Sequence, residues 1–355
     1  MQKEDLIIRY LINKGLMQKL EIRNKIFYVQ MNITNRCTEK CLHCYLRRKG
    51  FKEEADSERF ISILNQLNRA AKLKNKQLVV DLIGGDPLCK PDIEKILSYL
   101  NEINIDYGVK GNPNLLADNI EKLVQFGCKR YQMSLDGLEK THDSLRTKGS
   151  FKCTIEAIKL LNRYKVPVSI KFTLSDKNCN DLWPLLYKLY NEKLTIETFS
   201  VARYHVADGK GYHVSRAYYA KALENLIQFY RMQIRANDIR VYVNLKEHLW
   251  IAYLAEEDYL FKEFFDLIDA NPYLSSCSMI SCDATFITPD GSYDVCPKIS
   301  NFEQVKDYIQ YKEAKQKFLD SFMETSCELC IWKKACMGCL AFHVDGKDCD
   351  CFCGI

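Results

Sequence analysis

The stretch Asn35-Arg-Cys-Thr-Glu-Lys-Cys-Leu-His-Cys-Tyr45 decides how this 355-residue chain is interpreted. It follows a strand-like run, Phe27–Ile33, and places Cys37, Cys41 and Cys44 at Cys-x3-Cys-x2-Cys spacing. Three thiolates this close together can hold three corners of one [4Fe–4S] cluster, whereas clusters that only carry electrons usually have four protein ligands. The iron left open could coordinate a small molecule, as the open position of a catalytic zinc does. The alternative is a zinc loop with a fourth ligand elsewhere.

Composition and charge exclude several classes of protein. Hydrophobic residues make up 47% and charged residues 27% of the chain, which is ordinary for a globular protein. The sequence has no apolar run long enough to span a membrane, and charges interrupt its N-terminal segment, so we expect a cytoplasmic protein. The formal net charge of +5 counts all cysteines as neutral, and the basic residues are dispersed, so we expect no nucleic-acid partner.

Seventeen cysteines in a long chain without a secretion signal indicate metal binding more than disulfides. Three lie in the first cysteine stretch and ten lie between Cys277 and Cys353. The remaining four are scattered and are expected to be small core residues. They are Cys89, Cys128, Cys153 and Cys179.

Residues 27–236 alternate strand-like and helix-like segments. The strands predicted from short runs rich in Val, Ile, Phe and Tyr are Phe27–Ile33, Gln77–Ile83, Ile105–Lys110, Arg130–Leu135, Val168–Leu174 and Ile196–Tyr204. The helices predicted from apolar residues at helical spacing are Ser57–Leu73, Asp92–Ile103, Leu115–Phe126, Cys153–Tyr164 and Asp181–Tyr190. Six βα units predict an α/β fold, a partial (β/α)6 TIM barrel with its active site at the C-terminal ends of the strands.

We expect three further segments around this barrel of residues 27–236. Residues 1–26 are a helical extension, and residues 237–270 are a helical bridge that continues the helical pattern beginning near residue 216. Residues 271–355 are rich in Cys, Gly and Asp and poor in core-forming pattern, so we expect a cysteine-rich domain held by metal.

Two more motifs follow predicted strands. The second strand ends in Gly84-Gly85-Asp86-Pro87, where glycines let backbone groups approach a ligand closely and proline fixes the turn. The fourth strand runs into Ser134-Leu-Asp-Gly137, followed by His142-Asp143, Arg146 and Gly149-Ser-Phe151.

In this order the three motifs resemble the radical S-adenosylmethionine (SAM) enzymes. The resemblance implies that SAM chelates the open iron, and that an electron from the cluster cleaves SAM to a 5′-deoxyadenosyl radical. It implies that Arg146 binds the SAM carboxylate and that His43 lies near the adenine, with a ring that faces the cluster or only packs in the loop as the alternatives for His43. The family has Glu where this chain has Asp86, one methylene shorter. The residues that it assigns to the SAM pocket are Gly84, Gly85, Asp86, Pro87, Ser134, Asp136, Arg146, His43, Thr173 and Asn178.

The C-terminal cysteines resemble the SPASM extension of peptide-maturing members of that family. The resemblance implies two auxiliary [4Fe–4S] clusters, three in all. Auxiliary cluster I takes Cys277, Cys282, Cys296 and Cys339; auxiliary cluster II takes Cys327, Cys330, Cys336 and one of Cys349, Cys351 and Cys353. We favour Cys349 or Cys351 because Cys353 is close to the terminus. The chain departs from the family pattern at Cys336-x2-Cys339, where the family has x3. The alternative, a zinc ribbon, usually has its cysteine pairs farther apart.

The expected function is that of a radical SAM/SPASM enzyme that abstracts hydrogen from a substrate carbon. The resemblance implies a ribosomally made peptide or a protein side chain as the substrate, which is crosslinked or oxidised. The alternatives are formylglycine formation, as in anaerobic sulfatase maturases, and a small-molecule sugar dehydrogenase or epimerase. A rival of another class is a non-catalytic Fe–S electron carrier or a zinc-binding interaction protein, which would not bind SAM.

The resemblance also implies partners. A flavodoxin- or ferredoxin-type donor would supply the electron. Only 36 residues precede Cys37, fewer than a winged-helix leader-peptide reader needs, so a peptide substrate is expected to need another docking surface or a separate leader-peptide-binding protein. The candidates for substrate contact at the barrel mouth are Lys171, Arg203 and Tyr204.

Overall fold

The computed structural model describes residues 25–44, 46, 53–204, 214–245, 283–299 and 302–323. The strands are β1 (Ile26–Thr34), β2 (Gln77–Gly84), β3 (Asp106–Lys110), β4 (Arg130–Ser134), β5 (Val168–Leu174), β6 (Ile196–Arg203), β7 (Val241–Leu245), β8 (Asp283–Ile287) and β9 (Tyr293–Asp294). The helices are α1 (Ser57–Leu73), α2 (Ile93–Glu102), α3 (Leu116–Gln125), α4 (Glu139–Leu145), α5 (Ser150–Arg163), α6 (Leu182–Asn191), α7 (Arg216–Arg235) and α8 (Tyr308–Met323).

The strands form one sheet in the order β7-β6-β5-β4-β3-β2-β1-β8-β9. Every neighbouring pair is parallel except β8 and β9. In the described part of the chain the sheet is open, because β7 and β9 are its two edges. The six predicted strands and the partial parallel barrel are thus confirmed. No described helix is long and apolar enough to cross a membrane.

The structure corrects three expectations. β7 is a strand inside the predicted helical bridge, 237–270, where Val241 and Val243 are buried on alternate residues. β8 lies in the predicted cysteine-rich segment yet pairs with β1, so this part of the segment extends the barrel sheet. Cys153 is exposed, not in the core, although Cys128 and Cys179 are buried as predicted. The predicted extension before residue 25 and most of the expected C-terminal domain lie outside the described residues.

The two faces of the sheet differ in polarity. One face carries the large apolar side chains of every strand from β1 to β6, and these pack against the helices in one continuous core. In β1, for example, Phe27, Val29, Met31 and Ile33 are buried. Burying each such side chain contributes about 1.5–3 kcal/mol. The other, inner face alternates with it, as the period of two requires, and it is polar.

An inner charge cluster of four residues, Tyr28, Asp81, Lys110 and Arg130, spans β1 to β4 on the inner face. Lys110 Nζ lies 2.7 Å and Arg130 Nη2 also 2.7 Å from the Asp81 carboxylate, to which the Tyr28 hydroxyl donates as well. Gly108 leaves room for the Arg130 side chain to pass and reach Asp81, because a Cβ at position 108 would lie 2.5 Å from Arg130 Cγ. Burial alone would raise the pKa of Asp81, but Lys110 and Arg130 hold it well below its usual range.

Candidate functional site

At the barrel mouth, the cysteine loop after β1 and the Gly84–Pro87 turn after β2 are hydrogen-bonded to each other. Gly85 N–H donates to Thr34 O at 2.9 Å, and Asp86 N–H donates to Arg36 O at 2.8 Å. A Cβ at Gly84 would lie 2.4 Å from Thr34 O, and one at Gly85 would lie 2.3 Å from Arg36 O. Only glycine therefore lets this turn approach the cysteine loop so closely.

The three cysteines of the loop are free thiols that differ in exposure. Cys37 is exposed, whereas Cys41 and Cys44 are half-buried. Burial raises the pKa of Cys37 and raises that of Cys41 to about 12. In the ranges described, no three His, Cys, Asp or Glu side chains converge tightly enough to hold a single metal ion. A cluster binds its thiolates to separate irons, so this spread of thiols is compatible with a cluster.

Two side chains from elsewhere in the chain reach the sulfur atoms. Asn112, after β3, places Nδ2 3.5 Å from Cys37 Sγ. Arg146, after α4, places Nη1 3.5 Å from Cys41 Sγ. Both are donors, and donors stabilise metal-bound thiolates.

Asp86 is fully buried beside this loop, and its two carboxylate oxygens differ in their hydrogen bonding. Its Oδ1 accepts a hydrogen bond from Leu88 N–H at 3.1 Å. Its Oδ2 is buried without a hydrogen-bond partner among the residues that the structure describes. Burial raises the pKa of Asp86 to about 7, against the lowering effect of the backbone N–H groups of Leu88 and Asn112 and with a smaller contribution from the charge of Glu39. Such an unsatisfied acceptor is costly unless a ligand completes it.

Asp136 is the centre of the second half of the site. Its Oδ2 accepts from Arg146 Nε at 2.7 Å, and its Oδ1 accepts from Thr173 N–H at 2.7 Å. Asn178 Nδ2 donates to the carbonyl oxygens of both Asp136 and Thr173. His43 Nε2 lies 3.5 Å from Asp136 Oδ2. The structure thus brings four other sequence-predicted residues together around the buried carboxylate of Asp136.

A chain of hydrogen bonds ties Asp136 to the cysteine loop. Asp136 N–H donates to His142 Nδ1 at 3.0 Å, so the other ring nitrogen carries the proton and faces Ser150 Oγ at 3.2 Å. Ser150 Oγ donates to Glu39 Oε1 at 2.6 Å. Burial lowers the pKa of His142 to about 4, so the ring is neutral. His142 therefore holds the loop in place through Ser150 and Glu39.

The remaining mouth residues divide between the two faces of the sheet. Lys171 is in register with Ser134, the last residue of β4, on the inner face. The Tyr204 ring meets the His43 ring edge-on at 6.3 Å between centroids. Arg203, by contrast, has its guanidinium over the Tyr219 ring of α7 at 5.8 Å, so it packs toward the helices.

Sequence reasoning missed Glu39, Asn112 and Asn32. Asn32 is buried on the inner face of β1, and both polar atoms of its amide lack a partner among the described residues. The sequence did indicate that Asn32 faces the inner side of the sheet, because Tyr28, Gln30 and Asn32 are polar residues at alternate positions of one strand. Nothing in the spacing of Glu39 or Asn112 marks them as neighbours of the thiols.

The predicted auxiliary ligands lie outside the described residues, with the exception of Cys296. Cys296 is half-buried two residues after β9, where its N–H donates to Asp294 Oδ1 at 3.2 Å. The ligand sets of both auxiliary clusters therefore stay predictions.

The donor set of the mouth fits a SAM-binding cluster. Three thiols lie in one loop with two donors near their sulfurs. A buried acceptor, which has no partner within the described ranges, lies beside a turn that only glycine can form. An ammonium group is the kind of ligand that would complete Asp86.

Comparison with known proteins agrees with this geometry. The profile of the Radical SAM superfamily matches residues 31–177. Fe-coproporphyrin III synthase of Methanosarcina barkeri is 27% identical over 46% of this chain and 41% of its own length. The sporulation killing factor maturation protein SkfB of Bacillus subtilis is 27% identical over 49% of this chain and 43% of its own length. The matched part thus spans less than half of either relative.

Solved structures extend the likeness in fold. SuiB of Streptococcus suis, solved with its precursor peptide SuiA, has a TM-score of 0.72 and 19% identity, covering 96% of this chain and 78% of SuiB. Identity this low supports the fold alone. The cysteine loop, the Gly84–Pro87 turn and Asp136 therefore all lie within residues 31–177, the part of the chain that matches the Radical SAM superfamily profile.

Proposed function

We propose that this chain is a radical SAM enzyme that modifies a peptide or protein substrate. One observation carries the proposal. The cysteine loop and the Gly84–Pro87 turn meet at the mouth of an open parallel barrel, where an acceptor atom of the buried Asp86 has no partner in the part of the chain that the structure describes. An electron carrier or a zinc-binding protein has no need of such an acceptor beside its metal ligands.

The residues have distinct roles in this proposal. Cys37, Cys41 and Cys44 would hold a [4Fe–4S] cluster, which together with SAM would supply the radical chemistry that abstracts hydrogen from a substrate carbon. Asp86 accepts the ammonium group of SAM, whose positive charge would lower the pKa of this carboxyl and ionise it. The backbone of Gly84 and Gly85 forms the adjoining wall, and Ser134 contributes a hydroxyl from the end of β4.

The substrate class is supported by the relatives. SkfB is named as a maturation protein, and SuiB has been solved with a precursor peptide. The open edges of the sheet would admit an extended chain. A small-molecule substrate is the alternative, favoured by the equal identity to Fe-coproporphyrin III synthase. Crosslinking or oxidation, including formylglycine formation, are the reactions proposed on a peptide.

Further parts of the proposal rest on the sequence patterns. Two auxiliary [4Fe–4S] clusters in the C-terminal segment would relay an electron from or toward the substrate. A flavodoxin or ferredoxin would reduce the cluster at the mouth.

Anaerobic reconstitution tests the proposal. We expect about twelve irons and twelve sulfides per chain, and reductive cleavage of SAM. A Cys37/Cys41/Cys44→Ala variant should fall to about eight irons and lose all cleavage. Cys153→Ala is the matched control, because it removes an exposed thiol on α5 and should change neither quantity. Zinc at a few equivalents in place of iron would contradict the proposal.

A further inference from the structure

Arg146 contacts the cysteine loop and a buried carboxylate at the same time. Its Nε donates to Asp136 at 2.7 Å, its Nη1 lies 3.5 Å from Cys41 Sγ, and its Nη2 lies 3.3 Å from His43 Nε2. Its side chain is 12% exposed. Because Nε is already paired with Asp136, the Nε edge of the guanidinium cannot form a bidentate pair with the carboxylate of a ligand. These contacts direct the positive charge toward the sulfur.

Glu39 places a negative charge beside the same sulfur. Its Oε2 accepts from Cys41 Sγ at 3.3 Å and lies 3.9 Å from Arg146 Nη1. A metal-bound Cys41 has no proton to donate, so the carboxylate and the thiolate would then repel each other. Arg146 lies close to both groups and offsets that repulsion.

We propose that Arg146 raises the reduction potential of the cluster at the mouth, and that Glu39 lowers it. Asp136 is the positioning residue that fixes the guanidinium. The inference rests on the proposed function, because it requires a cluster on Cys41. Reduction adds one electron from an external donor to the cluster and neither forms nor breaks a bond. The reduced cluster is more negative, so a buried positive donor at its sulfur favours it, and a buried carboxylate disfavours it.

Asn112 should have a smaller effect of the same kind on the reduction potential of the cluster. Its Nδ2 lies 3.5 Å from Cys37 Sγ, but the amide is neutral and Cys37 is exposed. Hydrogen bonds from charged donors are roughly twice as strong as neutral ones, and water screens exposed groups. Asn112 should therefore shift the potential in the same direction as Arg146, by less.

A redox titration tests the proposal without SAM and without turnover. The protein is reduced stepwise by dithionite with mediator dyes, and the EPR signal that the Cys37/Cys41/Cys44→Ala variant lacks identifies the cluster at the mouth. Arg146→Met should lower the midpoint potential of this cluster. At a fixed potential the ratio of reduced to oxidised cluster should fall at least tenfold, which corresponds to a shift of about 59 mV for one electron. Glu39→Gln keeps an acceptor for Ser150 and should shift the midpoint upward.

Three further variants separate charge from structure. Arg146→Lys keeps the charge and should restore part of the shift. Asn112→Ala should lower the midpoint by less than Arg146→Met does. Arg130→Met is the matched control, because it breaks an arginine–aspartate pair in the inner charge cluster, away from the thiols, and should leave the midpoint unchanged.

The outcomes decide between the two proposals. Variants of Arg146 and Glu39 that keep four irons at the mouth, with midpoints equal to wild type, would overturn the role of Arg146 and leave the proposed function intact. If Arg146→Met loses the cluster, Glu39→Gln decides alone, and an unchanged or lower midpoint overturns the proposal. A wild-type protein without this EPR signal would overturn the proposed function, and the inference with it.

Discussion

Two arginine–aspartate pairs in this barrel have similar geometry and different neighbours. Arg130 pairs with Asp81 on the inner face, and Arg146 pairs with Asp136 at the mouth; in each pair the nitrogen–oxygen distance is 2.7 Å. The Asp81 carboxylate has its hydrogen-bond and ion-pair partners, as far as the described residues show, within the inner charge cluster, and both of its oxygens are paired. Around Arg146 stand a thiol and an imidazole, which are groups that bind metals or titrate.

The difference shows that burial of an ion pair does not by itself mark a functional site. In the inner charge cluster two cations, Lys110 and Arg130, share the Asp81 carboxylate, whose pKa is well below the usual range, and Arg130 also pairs with Asp106. At the mouth, Asp86 has a pKa raised to about 7 and an oxygen without a partner among the described residues. Buried polar atoms that lack a hydrogen-bond partner, more than buried charges, identify where a ligand would bind.

The largest expected effect is the loss of Asp81. Asp81→Ala leaves the half-buried Lys110 and Arg130 without their shared buried carboxylate, which should lower the free energy of unfolding by about 3 kcal/mol. Urea unfolding of the metal-free protein measures this. Asp106→Ala is the matched control, because Asp106 also pairs with Arg130, at 2.8 Å, but is 36% exposed, and its loss should cost about 0–1 kcal/mol. Equal costs for the two variants would show that the inner charge cluster is not a buried network.

The pH dependence should separate Asp86 from Asp81. The folded pKa of Asp86 is about 7, above its ordinary value of 3.8. Between these values the unfolded chain has released its proton while the folded chain has kept it, so stability falls as the pH rises. Relative to Asp86→Asn, the metal-free wild type should lose roughly 1.4 kcal/mol per pH unit across this window and nothing more above it. A constant difference from pH 4 to 8 would contradict the raised pKa.

Asp81 supplies the contrast in the same experiment. Its folded pKa lies below its ordinary value, so its contribution to stability is complete above that ordinary value and is lost only as the pH falls further. Asp81→Asn should therefore differ from wild type by a constant amount between pH 5 and 8.

The sequence predicted the elements that depend on local pattern. β1 to β6 begin and end within one or two residues of the predicted bounds, and α1 matches residue for residue, because period and composition are properties of a short window. α4 is too short for periodicity to show. β8 pairs with β1 across some 250 residues of chain, and no local pattern specifies such a partner.

The same distinction applies to the site. Motif order predicted the cysteine loop, the Gly84–Pro87 turn and the neighbourhood of Asp136, because each follows a strand end. The contacts of Arg146 with Cys41 and of Asn112 with Cys37 join segments that only the folded sheet brings together. The direction of Arg203 was predictable, since it shares alternate positions of β6 with Phe199 and Val201, which are buried against the helices.

A smaller effect should follow from adding one carbon between Asp81 and Arg130. Gly108→Ala places a Cβ 2.5 Å from Arg130 Cγ and 3.0 Å from Asp81 Oδ1, and such overpacking costs about 1–3 kcal/mol. In an Arg130→Ala background the closest atom is gone, so the cost of Gly108→Ala should shrink. A double-mutant cycle in urea measures this coupling, and strictly additive costs would show that the Arg130 side chain does not cross over Gly108.

The smallest expected effect concerns the mouth alone. Ser150→Ala removes the hydroxyl that donates to Glu39 at 2.6 Å and faces the His142 ring at 3.2 Å, while Glu39 keeps Arg146 nearby. The loss should be about 1 kcal/mol of unfolding free energy, the net value of one hydrogen bond. Ser144→Ala is the matched control on the neighbouring helix, because its exposed hydroxyl donates only to Thr141 O, and it should change stability by less than about 0.5 kcal/mol. If both serine variants unfold at the same urea concentration, the His142–Ser150–Glu39 chain does not hold the cysteine loop. If Ser150→Ala costs as much as Asp81→Ala, then the mouth, like the inner charge cluster, is a structural network in its own right.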